Sequence, residues 1–309
     1  DVQIYSRALS SDEINASMNS TQYRYYHNFT NLQGTYTYQA HAINLTGAKA
    51  STSTYTLNAD GIPPVISQLY YTEANNTLTN TAKFNYSSTD SNPSYLINDW
   101  NKTLVTWLRF ENDSTRGENS TFFNDESSWS RNITCSNCPI LDQENNKFGN
   151  SLSFDGINDY LLQTDLINIT NDITFETWFK LNQTTGITTS LFDIGAQSSS
   201  AGFLWMYTSG PTDLFLQYNN GSNYKVTQVP FISTINKWYH YVNVISYSNQ
   251  TIKTYINGNL LGINYTNEAI APVLNKKLYI GSYQCSSYFH NGSLDEYKVY
   301  SRALTSSEI

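Results

Sequence analysis

Apolar and polar side chains alternate along the second two thirds of the chain, as they do in strands with one buried face. The alternation is clearest in residues 104–110, 173–180 and 238–244, and it has the two-residue repeat of a β-strand. Asn257-Gly258 stands between two further segments of this kind, which predicts a hairpin with a type I′ turn. No helical periodicity separates these segments, so the pattern predicts a β-sandwich or jelly roll over 103–309.

The first third of the chain holds shorter strand signals in two groups, which Pro63-Pro64 separates. Each group has too few candidate strands to bury a core alone. Together they predict an immunoglobulin-like sandwich of about six or seven strands, made from 22–60 and 63–101. The candidate strands are 23–28, 34–44 and 51–57 in the first group and 65–70, 82–88 and 95–100 in the second.

The two ends of the chain repeat one another. Residues 1–14 and 296–309 are identical at eight of fourteen positions, and both contain Tyr-Ser-Arg-Ala-Leu. Chance does not produce such a match at both ends, so we interpret the chain as one period, with a small overlap, of a longer tandem array. In each copy a short strand leads into a capping box, Ser10-x-x-Glu13 or Thr305-x-x-Glu308, which predicts a short helix.

Seven sequence blocks occur in order along the last two thirds of the chain. They are L-V-T-W-L-R-F-E (104–111), K-F-G-N-S-L-S-F-D-G-I-N-D-Y (147–160), I-T-F-E-T-W-F-K (173–180), K-W-Y-H-Y-V (237–242), Y-I-N-G (255–258), L-Y-I-G (278–281) and N-G-S-L-D-E-Y-K-V-Y-S-R-A-L-T-S-S-E-I (291–309). These blocks resemble the laminin-G-like, concanavalin A-like jelly-roll domains of secreted microbial proteins. The resemblance implies such a jelly roll over 103–309. The family often has D-S-S-G-N-G-N-H-G where this chain has D-E-S-S-W-S-R-N-I (125–133).

The segments upstream of the jelly roll resemble two halves of an immunoglobulin-like repeat found in extracellular microbial arrays. Residues 63–101 resemble the first half, and 22–60, with N-F-T-N-L-Q-G-T-Y-T-Y-Q-A-H-A-I-N, resemble the second. This order implies an all-β protein in which the jelly roll is inserted into a split immunoglobulin-like sandwich. Residues 1–14 are then the closing strand and helix of the preceding jelly roll. The alternative is that 15–101 folds as one continuous sandwich.

Asparagine, serine and threonine carry the polarity that charged residues usually supply. Charged residues are only 14% and the net charge is −8, which argues against a nucleic-acid surface. No run reaches about 18 apolar residues, so no membrane span is expected. The 37 Asn and 70 Ser plus Thr would give about eight N-x-S/T sequons in random order.

Twice that number of sequons is present, which predicts a secreted, cell-surface glycoprotein with N-linked glycans. The sixteen sequon asparagines are Asn15, Asn19, Asn28, Asn44, Asn75, Asn85, Asn101, Asn112, Asn119, Asn132, Asn168, Asn182, Asn220, Asn249, Asn264 and Asn291. Glycans would keep a protein of such low charge soluble and would protect its edge strands.

Three cysteines leave two disulfide arrangements open. Cys135 and Cys138 form a C-x-x-C motif, and Cys285 lies far along the chain. In a secreted chain a disulfide is favoured over zinc, since no second C-x-x-C is present and only His290 and Cys285 could be recruited as further ligands. Either Cys135 pairs with Cys138, or one of them pairs with Cys285, and the third thiol stays unpaired.

The carboxylates do not form the pattern of a concanavalin-like glycosidase. Such an enzyme needs two carboxylates on one strand face, as in E-x-D-x-E, whereas Glu176 stands alone on its predicted strand. Asp125-Glu126 and Asp295-Glu296 are adjacent, so we expect each pair to point to opposite faces of a strand. The histidines, at positions 27, 41, 240 and 290, have no G-x-S-x-G partner. The sequence therefore predicts that the protein is not an enzyme.

The resemblance further implies a structural calcium ion that ties the first strand of the jelly roll to the last. The candidate ligands are the carboxylates of Glu111, Asp113, Asp125 and Asp295, because calcium prefers several oxygen ligands. The alternative is that Asp295 accepts hydrogen bonds from turn amides and that the other three are solvated.

Aromatic residues supply the candidates for sugar binding. Four tryptophans lie in strand patterns, where aromatic side chains usually pack in a core or on a sheet face; they are Trp107, Trp178, Trp205 and Trp238. Trp129 and Tyr288 lie in predicted loops and are the better carbohydrate-binding candidates. Trp100 precedes the jelly roll and is expected to fill the immunoglobulin-like core.

These observations favour an extracellular structural and adhesive unit of a tandem array. Its partners would be neighbouring copies of the same repeat, packed head to tail in a glycosylated fibre, stalk or sheath on the cell surface. The alternative function is a carbohydrate-binding lectin module that recognises surface glycans.

Overall fold

The structure is a computed structural model, and its chain divides into the units Asp1–Asn98 and Asp99–Ile309. It describes residues 8, 34–43, 48–59, 65–68, 86–89, 99, 102–144, 146–182, 188–195, 202–209 and 212–309. Most of 1–14 and 22–33, together with Trp100, lie outside the described residues. So do the sequon asparagines Asn15, Asn19, Asn28, Asn44, Asn75, Asn85 and Asn101.

The described part of the first unit consists of short antiparallel strand pairs. Its strands are β1 (Gly34–Tyr38), β2 (His41–Ile43), β3 (Lys49–Ser51), β4 (Tyr55–Ala59), β5 (Val65–Gln68) and β6 (Tyr86–Thr89). β1 pairs with β4, β2 with β3, and β5 with β6. The described pairs thus form within each predicted half, and the immunoglobulin-like sandwich stays a prediction.

The second unit is built from sixteen strands, all of them paired antiparallel. They are β7 (Leu104–Leu108), β8 (Phe122–Phe123), β9 (Ile133–Thr134), β10 (Ile140–Asp142), β11 (Ser151–Asp155), β12 (Leu161–Ile169), β13 (Ile173–Leu181), β14 (Thr188–Ile194), β15 (Leu204–Ser209), β16 (Asp213–Asn219), β17 (Tyr224–Pro230), β18 (Trp238–Ser246), β19 (Thr251–Ile256), β20 (Asn259–Tyr265), β21 (Val273–Ile280) and β22 (Asn291–Tyr300). One helical turn of the 3-10 type, Ser114–Arg116, follows β7.

Two sheets of eight strands form the sandwich. The first sheet has the order β10-β11-β22-β13-β18-β19-β20, and β7 also pairs with β22. The second sheet has the order β17-β16-β15-β14-β21-β12-β9-β8. The predicted all-β jelly-roll fold is confirmed. Buried positions alternate with half-buried ones along β7, whereas the interior strands β13 and β22 are buried at most positions on both faces.

The apolar face of each sheet packs against the other. Phe175 of β13 and Phe192 of β14 stack across the sandwich with ring centroids 4.2 Å apart, and both side chains are buried. Burial of each ring stabilises the fold by about 2–3 kcal/mol. Thr174, Glu176 and Trp178 alternate with the core residues of β13, so strand periodicity places them on the outer face of the first sheet.

The predicted hairpin and the predicted capping box have different outcomes. Ile256 pairs with Asn259, and Asn257 and Gly258 have φ angles of 50° and 75°, which confirms the type I′ turn. The Thr305 N–H donates to Glu308 Oε2 at 2.9 Å, as a capping box requires. However, no helix forms after β22, because 306–308 make only a turn.

Candidate functional site

The outer face of the first sheet carries a row of alternating acidic and basic side chains, here called the charge ladder. It crosses β18, β13, β22 and the end of β7 in the order His240, Glu176, Lys298, Glu296, Arg109 and Glu111. Successive nitrogen–oxygen distances along it are 3.2, 3.2, 3.3, 3.4 and 3.0 Å. Charge-assisted contacts of this length hold the four strands in register.

A β-bulge in β22 sets the face on which two of the carboxylates lie. Glu176 pairs with Lys298, and the register shifts by one residue before Trp178 pairs with Asp295. Glu296 stands at this shift with a φ of 50°, and its carboxylate lies 3.3 Å from Lys298. Asp295 and Glu296 therefore lie on the same face. The expectation of opposite faces is wrong here, because strict alternation fails at a bulge.

The side chains of the charge ladder are only partly exposed, and their burial affects the pKa values of the two outer glutamates. Burial alone would raise the pKa of Glu176, but the hydrogen bond from His240 and the charge of Lys298 hold that pKa at about 2. Burial raises the pKa of Glu111 to about 7, although Arg109 and a backbone N–H oppose the shift. Glu176 is thus a carboxylate at neutral pH, whereas Glu111 titrates near it.

The side chains of the charge ladder link neighbouring strands through ion pairs. A retaining glycosidase needs a nucleophilic carboxylate and a protonated acid about 5 Å apart. Here one ammonium group, that of Lys298, contacts both Glu176 and Glu296. The Glu296 side chain is also fully buried and accepts a 2.8 Å hydrogen bond from Trp107. Both carboxylates are engaged in ion pairs rather than poised as an acid and a nucleophile.

Replacing Lys298 with methionine should destabilise the jelly roll by about 3 kcal/mol or more, because two buried carboxylates lose their shared cation. Urea unfolding at pH 7 would measure the loss. The control is Lys225→Met, since Lys225 and Glu268 form a solvent-exposed pair and exposed pairs contribute little. An equal loss of stability in the two variants would contradict the role of the ladder.

The four predicted calcium ligands are not brought together as a set. Asp125 is buried and organises its own turn, accepting hydrogen bonds from the N–H groups of Trp107, Ser127 and Arg131 at 2.7–2.9 Å. Asp113 caps the 3-10 turn by accepting from Thr115. No group of three or more ligating side chains that could hold a metal ion occurs among the described residues.

Two of the four candidates do lie near each other. Asp295 Oδ2 accepts the N–H of Phe148 at 2.9 Å, while its Oδ1 has no hydrogen-bond partner among the described residues. Burial raises the pKa of Asp295 to about 8, and the charges of Glu296 and Glu111 add to that shift. Glu111 accepts the N–H of Asn150 at 3.0 Å. Asp295 thus has the loop amide partner that the alternative expected, whereas Glu111, which the alternative left to solvent, also accepts a backbone N–H. The calcium ion stays a prediction.

Removing calcium should therefore leave the stability of the jelly roll unchanged. Asp113 and Asp125 already have protein partners, and two carboxylates alone provide fewer oxygen ligands than calcium prefers. Thermal melting in excess EDTA and in millimolar calcium tests this. If calcium raises the Tm of the unaltered chain but not that of Asp295→Asn, the predicted calcium site is supported instead.

The cysteines adopt the first of the two predicted arrangements. Cys135 and Cys138 form a disulfide, and Cys285 is an unpaired thiol of intermediate exposure. Burial raises the pKa of the Cys285 thiol, which disfavours its reactive thiolate form.

The described sequon asparagines all reach the surface. None of the nine is buried; they are Asn112, Asn119, Asn132, Asn168, Asn182, Asn220, Asn249, Asn264 and Asn291. Glycan attachment requires such exposure. Their positions are compatible with the predicted glycosylation, which stays a prediction.

The strand tryptophans pack on sheet faces, as expected. Trp107, Trp178 and Trp238 lie on the face of the charge ladder, whereas Trp205 belongs to β15 of the second sheet. The ammonium group of Lys147 stands 4.1 Å from the Trp178 ring centroid. These rings cover the sheet rather than form an open sugar platform.

The two loop candidates for sugar binding are exposed and lie in different places. Trp129 is 51% exposed and borders a cleft of about 220 Å³ at one end of the sandwich. The guanidinium group of Arg131 stands 4.8 Å from its ring. Tyr288 is 46% exposed and packs beside Trp205, with ring centroids 5.1 Å apart. The described contacts do not join the two into one site.

Residues 296–309, here called the closing segment, fasten the end of the jelly roll to its beginning. The N–H of Ser301 donates to the Thr103 carbonyl at 2.8 Å, and Arg302 Nε donates to the Thr103 hydroxyl at 3.0 Å. Leu304 is buried. Arg302 also forms an ion pair with Glu308 at 2.6 Å. The closing segment thus contacts the residues that enter β7.

A comparison with known protein families identifies the family of this sandwich. A family model described as the Concanavalin A-like lectin/glucanases superfamily, of the laminin G type, matches residues 155–309, half of the chain. The chain belongs to this superfamily. Concanavalin A-like domains of the laminin G type are typically extracellular binding modules, and the match shows no enzymatic family. No curated protein matches the sequence.

Several solved structures share the fold at low sequence identity. The serotype G botulinum neurotoxin binding domain is 11% identical with a TM-score of 0.52, covering 66% of this chain and 49% of its own. The serotype D ligand-binding domain in complex with N-acetylneuraminic acid is 15% identical with a TM-score of 0.51, covering 67% and 50%. The chain thus spans about half the length of these structures. No described helix is long and apolar enough to cross a membrane.

Sequence reasoning missed the charge ladder and one further buried acid, Asp193. The ladder joins residues far apart in the chain, so only the strand order reveals it. Asp193 leaves a signal, because it is a charged residue within the apolar strand Thr188–Ile194. It is completely buried, and burial raises its pKa to about 8.

Proposed function

We propose that this protein is a non-enzymatic structural and adhesive unit of an extracellular tandem array. The observation that supports this most directly is the use of the closing segment. Its contacts with Thr103, its buried leucine and its Arg–Glu ion pair come from Arg302, Leu304 and Glu308, each of which recurs near the start of the chain.

The counterparts are Arg7, Leu9 and Glu13. A segment that repeats the residues closing one jelly roll is suited to close another. Residues 1–14 would then complete the preceding jelly roll of the array, and neighbouring copies would be the partners. Head-to-tail contacts build an open filament when they do not close into a ring.

The immunoglobulin-like part of the proposal rests on the order of the segments. With 63–101 before a jelly roll and 22–60 after the preceding one, each sandwich would be completed by chain from the next period. N-linked glycans on the exposed sequons would keep a fibre, stalk or sheath of low charge soluble outside the cell.

Electron microscopy of the native material tests the array. Filaments with a regular repeat of one jelly roll plus a smaller domain are expected. Isolated particles of the size of one jelly roll would overturn the proposal. Intact-mass measurement of the same material tests secretion and glycosylation, because a mass equal to that of the bare chain would exclude glycans.

A carbohydrate-binding lectin module is the second candidate function. The exposed Trp129 beside its cleft favours it, because apolar pockets with a few polar groups are typical ligand sites. Of the similar neurotoxin structures, one is a ligand-binding domain in complex with N-acetylneuraminic acid, and another belongs to a toxin whose cell entry depends on interaction with two ganglioside molecules. A glycan array with the full chain separates the two functions, since saturable binding favours the lectin and no binding favours the purely structural role.

A further inference from the structure

The cleft beside Trp129 opens between the two sheets at the end of the sandwich where β12 leads into β13. We call it the Trp129 cleft. Both sheets contribute buried apolar side chains to its lining, namely those of Ile167, Ile169, Ile173, Phe175, Ile194 and Val299. The Trp129 cleft is therefore an opening into the core of the jelly roll rather than a groove on the surface of one sheet.

Irregular pairing of β12 explains why the two sheets leave this space. The register of β12 with β21 shifts between Gln163 and Ile167 and again between Ile167 and Ile169. Each shift bends the strand and interrupts the regular spacing of its side chains. Residues 170–172, which connect β12 to β13, then line the cleft. The space thus follows from the course of the backbone.

The volume of the cleft limits what it can hold. It measures about 220 Å³, whereas an apolar cavity of about 150 Å³ lined by leucine, isoleucine and phenylalanine already takes up benzene. The remaining volume, about 70 Å³, has room for about two further groups of the size of a water molecule. A phenyl ring with a short side arm, or an alkyl chain of similar bulk, therefore fits, whereas an oligosaccharide or a helix does not.

A cation without an acidic partner lines the cleft next to the exposed indole. The guanidinium group of Arg131 stands 4.8 Å from the ring centroid of Trp129. The backbone N–H of Arg131 donates to Asp125 at 2.8 Å, which fixes the base of the side chain. Among the described residues, no ion pair engages its guanidinium group. An arginine that stacks on an indole keeps N–H donors available for a planar carboxylate.

The acidic side chain that lines the cleft is already engaged by the protein. The carboxylate of Asp172 accepts hydrogen bonds from the Ser246 hydroxyl at 3.0 Å and from the Ser248 N–H at 3.1 Å. These hydrogen bonds stabilise its negative charge locally. Of the charged residues described in the lining, Arg131 is thus the one left for a ligand.

We propose that the Trp129 cleft binds a small apolar carboxylate, with its aryl or alkyl group between the sheets and its carboxylate on Arg131. Burial of the apolar group supplies most of the affinity, and the guanidinium group supplies the preference for an anion. A sugar fits the cleft less well, because its hydroxyl groups would face isoleucine side chains that cannot accept hydrogen bonds. The inference does not depend on the tandem array.

The test measures the binding of phenylpropionate and hexanoate to the full chain by saturation-transfer NMR and isothermal calorimetry. The chain is produced without glycans, because the sequon residue Asn168 lines the cleft. At least one of the two carboxylates should bind. Its affinity should exceed that of the matched alcohol, phenylpropanol or hexanol, by about tenfold, because the alcohol has no charge to pair with Arg131.

Two variants test the two halves of the site. Arg131→Gln should lose the preference for the carboxylate and keep the affinity for the alcohol. Val105→Phe places a larger side chain at a half-buried position in the lining and should abolish the binding of both. The matched control, Arg116→Gln, changes an arginine of the 3-10 turn and should bind as the unaltered chain does. Thermal melting verifies that each variant is folded, and Arg131→Gln decides the test if Val105→Phe is not.

Four outcomes would overturn the inference. They are no binding by either carboxylate, equal affinity for the carboxylate and its alcohol, equal losses in Arg131→Gln and Arg116→Gln, and unaltered binding by a folded Val105→Phe chain. N-acetylneuraminic acid is a carboxylate without a large apolar group, so binding by it alone would also overturn the inference and would favour the lectin function. None of these outcomes bears on the array, which electron microscopy tests separately.

Discussion

A chain truncated after Asn291 should lose the cooperative unfolding transition of the jelly roll. The truncation removes nearly all of β22, which pairs with β11, β13 and β7. It also removes five buried hydrophobic side chains, those of Leu294, Tyr297, Val299, Tyr300 and Leu304. Together these losses exceed about 5 kcal/mol, which is comparable to the stability of a whole domain. Circular dichroism during heating would show no cooperative transition.

A second truncation, after Tyr300, separates the strand from the segment that follows it. That variant keeps β22 and loses the contacts of 301–309, chiefly those of Ser301, Arg302, Leu304 and Glu308. It should still melt cooperatively at a lower Tm. A soluble protein truncated after Asn291 that melts as the full chain does would contradict the central role of β22.

Raising the pH from 6.5 to 8.5 should lower the free energy of unfolding by about 4 kcal/mol. The pKa values of Asp193 and Asp295 are raised to about 8, and that of Glu111 to about 7, chiefly by burial. A carboxyl group whose folded pKa is raised stabilises the fold while it is protonated. That contribution is complete below the unfolded pKa and is lost as the pH rises through the folded value.

The window above pH 6.5 isolates these carboxyl groups. Burial lowers the pKa of His290 to about 4, so its stabilising effect as a neutral ring is already complete above its ordinary pKa. The pKa of Glu176 is lowered to about 2, so its contribution is lost only in strong acid. Neither group therefore changes the slope between pH 6.5 and 8.5.

Urea unfolding at several pH values measures the effect. Asp193→Asn should make the chain more stable at pH 8.5 and should reduce the slope, because the amide cannot ionise. Ile140→Ala changes a strongly exposed, non-titrating residue and should keep the original slope. A stability that rises with pH over this window would show that these carboxyl groups are not protonated in the fold.

The strands of the jelly roll could be predicted because their signal is local. The alternation in 173–180 and the Asn257-Gly258 turn depend on neighbours in sequence, and both match the structure. The face of Glu296 could not be predicted, because it depends on one extra residue in β22 relative to β13. A bulge of one residue does not visibly alter the apolar–polar repeat of a strand, so the sequence pattern does not reveal it.

The site residues also divide into those with a local sequence signal and those without one. Exposure of Trp129 and Tyr288 could be predicted from their loop positions, and the structure exposes both. The shared cation of Glu176 and Glu296 comes from a pairing between strands more than 100 residues apart in the sequence. No local sequence signal indicates this shared contact, because a lysine in a strand is ordinarily expected to be solvent-exposed.

The place of β22 in the chain also governs when the domain can fold. This strand lies in the interior of the first sheet, yet it is the last strand of the domain to leave the ribosome. Until it emerges, β7, β11 and β13 lack the neighbour that aligns them, and the nascent domain stays unfolded. If the chain is exported in an extended state, as the proposed extracellular role implies, the late position of β22 delays completion of the jelly roll until after export.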